Sequence, residues 1–387
     1  MIRKALAMVA IITVAVSVKA AVVDITGAGR AKFTVSINVA NNAFASSLKK
    51  NLERSGAFIV KQDGSIKVSG ASGSIKAEGG GKVVSSTDTF TDDKSARMAA
   101  RRLSDTMCQA YANQKGFACD KIIFLNRGKA INGGVAIPGE ICVAYPDGYD
   151  IRQLTNDGAT SLFPRWKTDG ESIYYIGYMR GAPQIWEMNT VTGKRNVKWS
   201  FKGSPTGVAV SPDGRKVAAI LSIHGNPELY VLEGDRYVRL TNTPTATEGQ
   251  PTWSPDGKKI AYVSDETRRA HIYVIDVATK QKRRLTSKGR ENVDPDWGKD
   301  GRIAYITKRG GAQIAVMNSA EGDKTASLVT GEANWEHPSW ARDSRTIVAN
   351  RDRALFIIDT EKANDKPVPP VQMFHANGNW ISPSWSK

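Results

Sequence analysis

Four histidines, five evenly spaced aspartates and three cysteines are the side chains through which this chain could do chemistry. The histidines, His224, His271, His337 and His375, are scattered, whereas a metal held by imidazoles needs three or four ligands brought together. No His-Glu-Xaa-Xaa-His pairs two of them on a helix. There is likewise no Gly-Xaa-Ser-Xaa-Gly elbow to present a serine nucleophile and no Walker-type loop to cradle a phosphate. The aspartates, Asp169, Asp213, Asp256, Asp300 and Asp343, each stand beside a glycine or serine in a separate copy of a repeat, so turn formation accounts for them without a metal. Cys108 and Cys119 could close a short loop, a bridge that would contribute roughly 3 kcal/mol. Cys142 sits in an apolar run and reads as a small core residue rather than a reactive thiol. No catalytic residue, metal ligand or cofactor is assigned from these groups.

The spacing of the aspartates is itself the stronger signal. Consecutive copies lie 43 or 44 residues apart, within Pro164-Arg-Trp-Lys-Thr-Asp-Gly170, Val208-Ala-Val-Ser-Pro-Asp-Gly214, Pro251-Thr-Trp-Ser-Pro-Asp-Gly257, Pro295-Asp-Trp-Gly-Lys-Asp-Gly301 and Pro338-Ser-Trp-Ala-Arg-Asp-Ser344. A sixth, partial copy is Pro383-Ser-Trp-Ser386. A period of this size, made of short strands and turns, means propeller blades. Pro251 to Thr286 illustrates one blade: inner strand Thr252-Trp253, a hairpin turn at Ser254 to Gly257, a second strand Ile260 to Val263, a third Ile272 to Ile275 and an outer one Arg283 to Thr286. One tryptophan per inner strand fills the wedge between neighbouring blades. The Val210 copy must manage with a smaller residue.

The partial copy has no strands after it, and three runs near residue 120 have no inner strand before them. These are Lys121 to Leu125, Glu140 to Ala144 and Ile151 to Thr155. Pairing them makes one blade shared by the two ends of the β region, a joint that removes exposed edges. The expected fold is therefore two-domain: a small N-terminal α/β domain over 21–118, then a six-bladed all-β propeller over 119–387, with five complete blades and one split blade closed by the C-terminal strand. Within the small domain, Phe44, Leu48 and Leu52 mark a helix stopped at Gly56. A second helix starts near Thr91-Asp92-Asp93, carries Ala96, Ala99, Leu103 and Met107 on its apolar face and is closed by Gly116. Gly64 to Gly81 reads as hairpin strands.

Residues 1–20 form a secretory signal: Arg3 and Lys4 precede an uncharged run from Ala5 to Val18, too short for a membrane span. Its removal takes away three cations and no acid, so the net charge falls from +16 to +13. The basic residues are spread over turns and blade edges without interleaved aromatics, which favours a solvated surface over nucleic-acid binding. Varied loops, Gly158 to Phe163, Thr243 to Gln250, Gly289 to Asp294, Gly331 to His337 and Asn377 to Ser382, lead into the inner strands. They put Glu248, Gln250, Asn292, Asp294, Glu336, His337 and Asn377 on a polar, partly acidic rim around the channel mouth, the natural place for recognition.

The order of motifs resembles the TolB family, exported propellers of the Tol-Pal envelope system. It runs from Arg101-Arg-Leu-Ser-Asp105 through Gly116-Phe117 into Lys121-Ile-Ile-Phe, then to Ala144-Tyr-Pro-Asp-Gly148 and outer strands ending at Leu154-Thr155, Leu240-Thr241 and Leu285-Thr286. Around Lys61 to Ser69 the chain is shorter than that family's strand-helix-strand connection. The resemblance implies a non-catalytic periplasmic adaptor, peripheral to the membrane, that supports outer-membrane integrity and envelope constriction at division. It implies that the propeller face binds the peptidoglycan-associated lipoprotein Pal and that Ala21, Val22, Val23, Asp24 and Ile25 engage TolA, with other outer-membrane or peptidoglycan-associated proteins as further partners. The competing expectation is an exported propeller enzyme such as a metal-dependent polysaccharide lyase, built on histidines at one propeller face.

Overall fold

The computed structural model describes residues 32–127, 139–363, 366–374 and 378–386. The expected leader over 1–20 and the segment Ala21 to Ile25 lie outside the described residues. Contacts divide the chain into two compact units, one ending at Cys119 and the other starting at Asp120.

The first unit is a two-layer α/β structure. Its five strands are β1 (Phe33–Asn38), β2 (Phe58–Val60), β3 (Ile66–Ala71), β4 (Ser74–Gly79) and β5 (Lys82–Ser86), in the sheet order β2-β1-β3-β4-β5. The pairs with β1 are parallel and β3 to β5 form an antiparallel meander. Helix α1 (Asn42–Arg54) is capped by Asn41, whose side chain accepts from the Phe44 amide at 2.8 Å, and buries Phe44, Leu48 and Leu52. Helix α2 (Asp93–Ala112) opens with a reciprocal capping box between Asp92 and Ser95. It closes on Asn113 in the left-handed conformation, φ 51°, rather than on Gly116. Gly116 serves another purpose: a Cβ there would fall 2.2 Å from Asp105 Oδ1. That carboxylate accepts from the Ala118 and Cys119 amides at 2.7 and 3.1 Å, pinning the chain as it leaves α2. Cys108 and Cys119 are not joined by a disulfide.

The short Lys61 to Ser65 connection has a physical cause. It crosses β1 so closely that a Cβ on Gly64 would lie 2.2 Å from the Val35 carbonyl carbon. Only glycine permits the crossing.

The second unit is the six-bladed propeller. Five four-stranded sheets have inner strands Ser161–Trp166, Pro205–Val210, Glu248–Trp253, Glu291–Trp297 and Trp335–Trp340. The sixth joins Trp380–Trp385 to Ile122–Asn126, then Glu140–Ala144 and Arg152–Gln153. The expected split blade is therefore present, and the blades are numbered here from Ser161, with the split one sixth. Each apolar cluster lies on a seam between two blades. Trp166 packs with Ile123 and Val143 of the sixth blade, Trp253 with Ala218 and Ile220 of the second, and Trp340 with Ala304 and Ile306 of the fourth. The indole N–H groups of Trp166, Trp253 and Trp340 donate to the Ser384, Ala209 and Asp296 carbonyls of the preceding inner strand at 3.0 to 3.1 Å. At the first seam Val210 is only half-buried, against a cluster containing Tyr174 and Trp199, whose rings lie 5.4 Å apart.

The Leu-Thr ends of the outer strands have a shared purpose. Where the outer strand stops, the threonine hydroxyl accepts the next amide of the third strand, at 2.9 Å for Thr155, Thr241, Thr286 and Thr330. This keeps a buried N–H from being orphaned. The turn aspartates behave in the same way. Asp169 accepts from the Glu171 and Ser172 amides, Asp343 from Arg345 and Thr346, and Asp213, Asp256 and Asp300 each from an amide two residues on.

Trp340 is fully buried at its seam. Replacing it with alanine is expected to cost about 3–5 kcal/mol. Denaturant unfolding of the purified variant checks this, and a loss under about 1 kcal/mol would mean that the indole is not the wedge between these blades.

Candidate partner-binding site

The propeller axis is lined by the inner strands, and proline dictates how they present their side chains. Every inner strand bulges in its pairing with the second strand, that of the second blade included, and each except that one carries a proline in its middle, which removes one ladder donor. The residue before each proline is left-handed: Phe163, Gln250, Asp294, His337 and Ser382 have φ between 48° and 52°. A non-glycine residue held there costs on the order of 1 kcal/mol. The second blade has Thr206-Gly207 at this place, and Thr206 is not left-handed.

The freed amides find partners across the seams. The Asp294 amide donates to Gln250 Oε1 at 2.9 Å and the His337 amide to Asp294 Oδ2 at 3.0 Å, so the side chain of one blade holds the backbone of the next. Gln250 also donates from its side-chain amide to Asp294 Oδ1. One step deeper the pattern repeats: Thr252 Oγ1, Asp296 Oδ2 and Ser339 Oγ accept from the Trp297, Trp340 and Trp385 amides at 3.1, 2.7 and 3.1 Å.

Beside these two rows of cross-blade bonds lies a cavity of about 550 Å³, lined near its charged part by Phe163, Arg165, Gln250, Asp294, Asp296 and His337. His337 Nδ1 lies 3.2 Å from Asp294 Oδ2, and the Phe163 ring meets the imidazole edge-on at 6.4 Å. Burial alone would lower the His337 pKa, but the Asp294 charge and its hydrogen bonds outweigh it and hold the value above 6.5. Burial would raise Asp294, yet His337 and then Arg165 bring it below 3.8. Arg165 is lowered by burial, partly offset by Asp296 and Asp294. The cavity lining thus brings the carboxylates of Asp294 and Asp296 together with the basic residues Arg165, Lys167, Lys299 and His337.

The residues expected on the rim divide into three groups. Gln250, Asp294 and His337 come together in the cavity. Glu336 is exposed beside them and accepts from Asn350 Nδ2 at 2.8 Å. Glu248 and Asn292, each 1% exposed, lie beneath the surface instead. Burial pushes the Glu248 carboxyl up to about 7, and Thr243 donates to it. Asn292 donates to His271 Nδ1 at 3.0 Å and to the Lys288 carbonyl at 2.7 Å. Asn377 and His375 lie outside the described residues. Phe163 ends one of the loops expected on this face, whereas Thr206, Arg165 and Asp296 were not expected in the site. Their signal lay inside the repeat, where the residues flanking each proline face the axis.

The described histidines do not converge. His224 is exposed at a hairpin of the second blade, His271 is buried beside Asn292, and His337 is paired with Asp294. Among the described residues no group of three His, Cys, Asp or Glu could hold a metal ion, and no helix is long and apolar enough to cross a membrane.

The His337–Asp294 pair makes a signed prediction. A raised histidine pKa stabilises the fold fully below its ordinary value of 6.5, and the contribution is lost as pH rises through the folded value. The lowered Asp294 contributes above 3.8 and is lost on acidification through its folded value. Both act together between 3.8 and 6.5. NMR titration is expected to place His337 above 6.5 in the native protein and at or below it in Asp294→Asn; no change between the two would mean that the carboxylate does not charge this imidazole.

The model of the TolB β-propeller domain matches residues 109–387. The Tol-Pal system protein TolB of Francisella tularensis subsp. tularensis (strain WY96-3418) is 28% identical over 309 residues, covering 75% of this chain and 69% of that protein. Its counterpart in subsp. mediasiatica (strain FSC147) matches to the same extent. Among solved structures, TolB from Acinetobacter baumannii superposes with a TM-score of 0.77 at 20% identity, covering 97% of this chain and all of that one. A putative TolB from Agrobacterium tumefaciens reaches 0.52 at 18% identity, over 68% of this chain and 92% of that one. The structural likeness supports the fold, and with the family model spanning well over half of the sequence, this chain belongs to the TolB β-propeller family.

Proposed function

We propose that this protein is a non-catalytic periplasmic adaptor of the Tol-Pal system. It binds the peptidoglycan-associated lipoprotein Pal at the propeller cavity and TolA through Ala21 to Ile25, and so supports outer-membrane integrity and envelope constriction. Family membership supports the system-level part, since the curated relatives are named as Tol-Pal components. The observation that carries the binding part is the ring of pre-proline residues. It aims Phe163, Gln250, Asp294 and His337 into one cavity on a rigid scaffold. Such rigidity lowers the entropy lost when a partner loop enters.

Thr206 is exposed, lines the same cavity and takes no part in the cross-blade amide bonds described above. Pull-down of matching Pal by the mature protein at micromolar concentration is expected to succeed, and Thr206→Arg is expected to weaken it by about tenfold or more with unchanged melting. Failure of a folded wild-type propeller to retain Pal sinks the reading. Deleting Ala21 to Ile25 is expected to abolish TolA capture while Pal capture survives, and loss of both would remove the assignment of separate sites.

A further inference from the structure

The end of the propeller at which the inner strands begin carries an uncompensated group of cations on the third and fourth blades. Arg268 and Arg269 lie in the hairpin between Lys259–Ser264 and His271–Asp276. Arg284 ends the outer strand of the third blade, Lys288 and Arg290 lie in the segment leading to Glu291–Trp297, and Arg309 follows Arg302–Lys308. All six are exposed, and none has an ion pair within 4.0 Å among the described residues. Of the neighbouring carboxylates, Glu266, Glu291, Asp323 and Asp265 are already engaged, the last by the Thr247 amide, and the exposed Glu332 lies against the Gly310–Gly311 turn that follows Arg309. Lys282 holds Glu266, Lys308 holds Glu291 at 2.9 Å, and Asp323 accepts from the Ser287 and Lys288 amides.

These segments are close together. The Arg290 amide donates to the Lys308 carbonyl at 2.7 Å, and His271, buried between the two blades, senses Arg284 and Arg269. Burial first, then those two positive charges, hold its pKa below the ordinary value. The patch lies toward the cavity, since Arg290 stands four residues before Asp294 on the same inner-strand approach, about 13 Å along an extended strand.

We infer that the exposed cations of the third and fourth blades form a docking surface for a carboxylate-bearing protein face, which steers a partner onto the nearby cavity. This rests on the proposed Pal reading and adds that the partner's contacting face is acidic. Arginine outnumbers lysine in the patch, and a guanidinium grips a carboxylate with two parallel hydrogen bonds. The interspersed pairs at Glu266 and Glu291 give the surface a pattern, which suits a folded partner with fixed charges better than a uniform anionic lipid surface. None of the strongly exposed large apolar residues, Val191, Tyr237, Val238 and Val371, belongs to these two blades' patch. The surface is electrostatic rather than inserting.

Stopped-flow association of the mature protein with soluble Pal, in about 20 and about 200 mM salt, tests this against Arg269→Glu/Arg284→Glu/Arg290→Glu. The wild-type association rate constant is expected to fall by about tenfold between the two salts, and the charge-reversed variant to associate about tenfold more slowly at low salt with a flat salt dependence. Dissociation should change far less, and circular dichroism and melting should match the wild type. Binding whose rate ignores both salt and charge reversal overturns this inference and leaves the Pal reading standing. No binding by wild type removes both. Capture by phosphatidylglycerol vesicles that the variant loses, with Pal kinetics unaltered, would assign the patch to lipid and overturn the inference as well.

Discussion

A strand that cannot complete its own ladder is the constraint on which this propeller depends. A bulge interrupts the inner strand's ladder in every blade, proline removes a further donor in five of them, and the amides of Asp294 and His337, each just before its proline, turn to the neighbouring blade. An amide buried there without a partner would cost on the order of 1–3 kcal/mol. Gln250 and Asp294 supply the acceptors from one blade to the next, and Thr252, Asp296 and Ser339 do the same one layer down. The side chains that face the cavity are therefore also those that sew the blades together. Site and scaffold share atoms, which is why the charged residues there sit in fixed rather than adaptable positions.

The periodic features were legible in the sequence because their physical cause is local. Turn aspartates 43 or 44 residues apart, most of them three residues after a Pro-Xaa-Trp segment, declare the inner strand and its hairpin without any knowledge of neighbours. The split blade was readable by elimination, since Pro383-Ser-Trp-Ser386 lacked strands and Lys121 to Leu125 lacked an inner one. Burial was not legible in the same way. Glu248 and Asn292 have the composition of solvated loop residues, yet the first takes a hydroxyl from Thr243 and the second bridges His271 and Lys288. Polarity predicts a need for hydrogen bonds, not the identity of the donor, and here protein groups rather than water supply them.

Arg165 and Asp296 were hidden for the opposite reason. They stand between the proline and the tryptophan of a motif whose regularity marks scaffold, so the variable position inside it drew no notice. Closure of α2 is a smaller instance: Gly116 matched the expected stop, but Asn113 takes the left-handed position and Gly116 instead clears space for Asp105. Arg165 and Asp296 passed unremarked and Gly116 was read as special for the wrong reason, and in both cases only three-dimensional neighbours decide what the residue does.

The sixth blade makes the order of synthesis matter. The Lys121 amide and the Ser386 hydroxyl that it donates to are 265 residues apart, and Ile122–Asn126 has no inner neighbour until Trp380–Trp385 has been made. As a ribosome releases the chain, the earliest propeller strands emerge with an unpaired edge and wait for the whole of the remaining ring. Contacts of such sequence separation form slowly, and an unpaired edge is a template for other chains. The latch that leaves the finished ring no open strand edge thus exposes the growing chain to misassembly, and whatever accompanies this polypeptide before folding must shield Ile122–Asn126 longest.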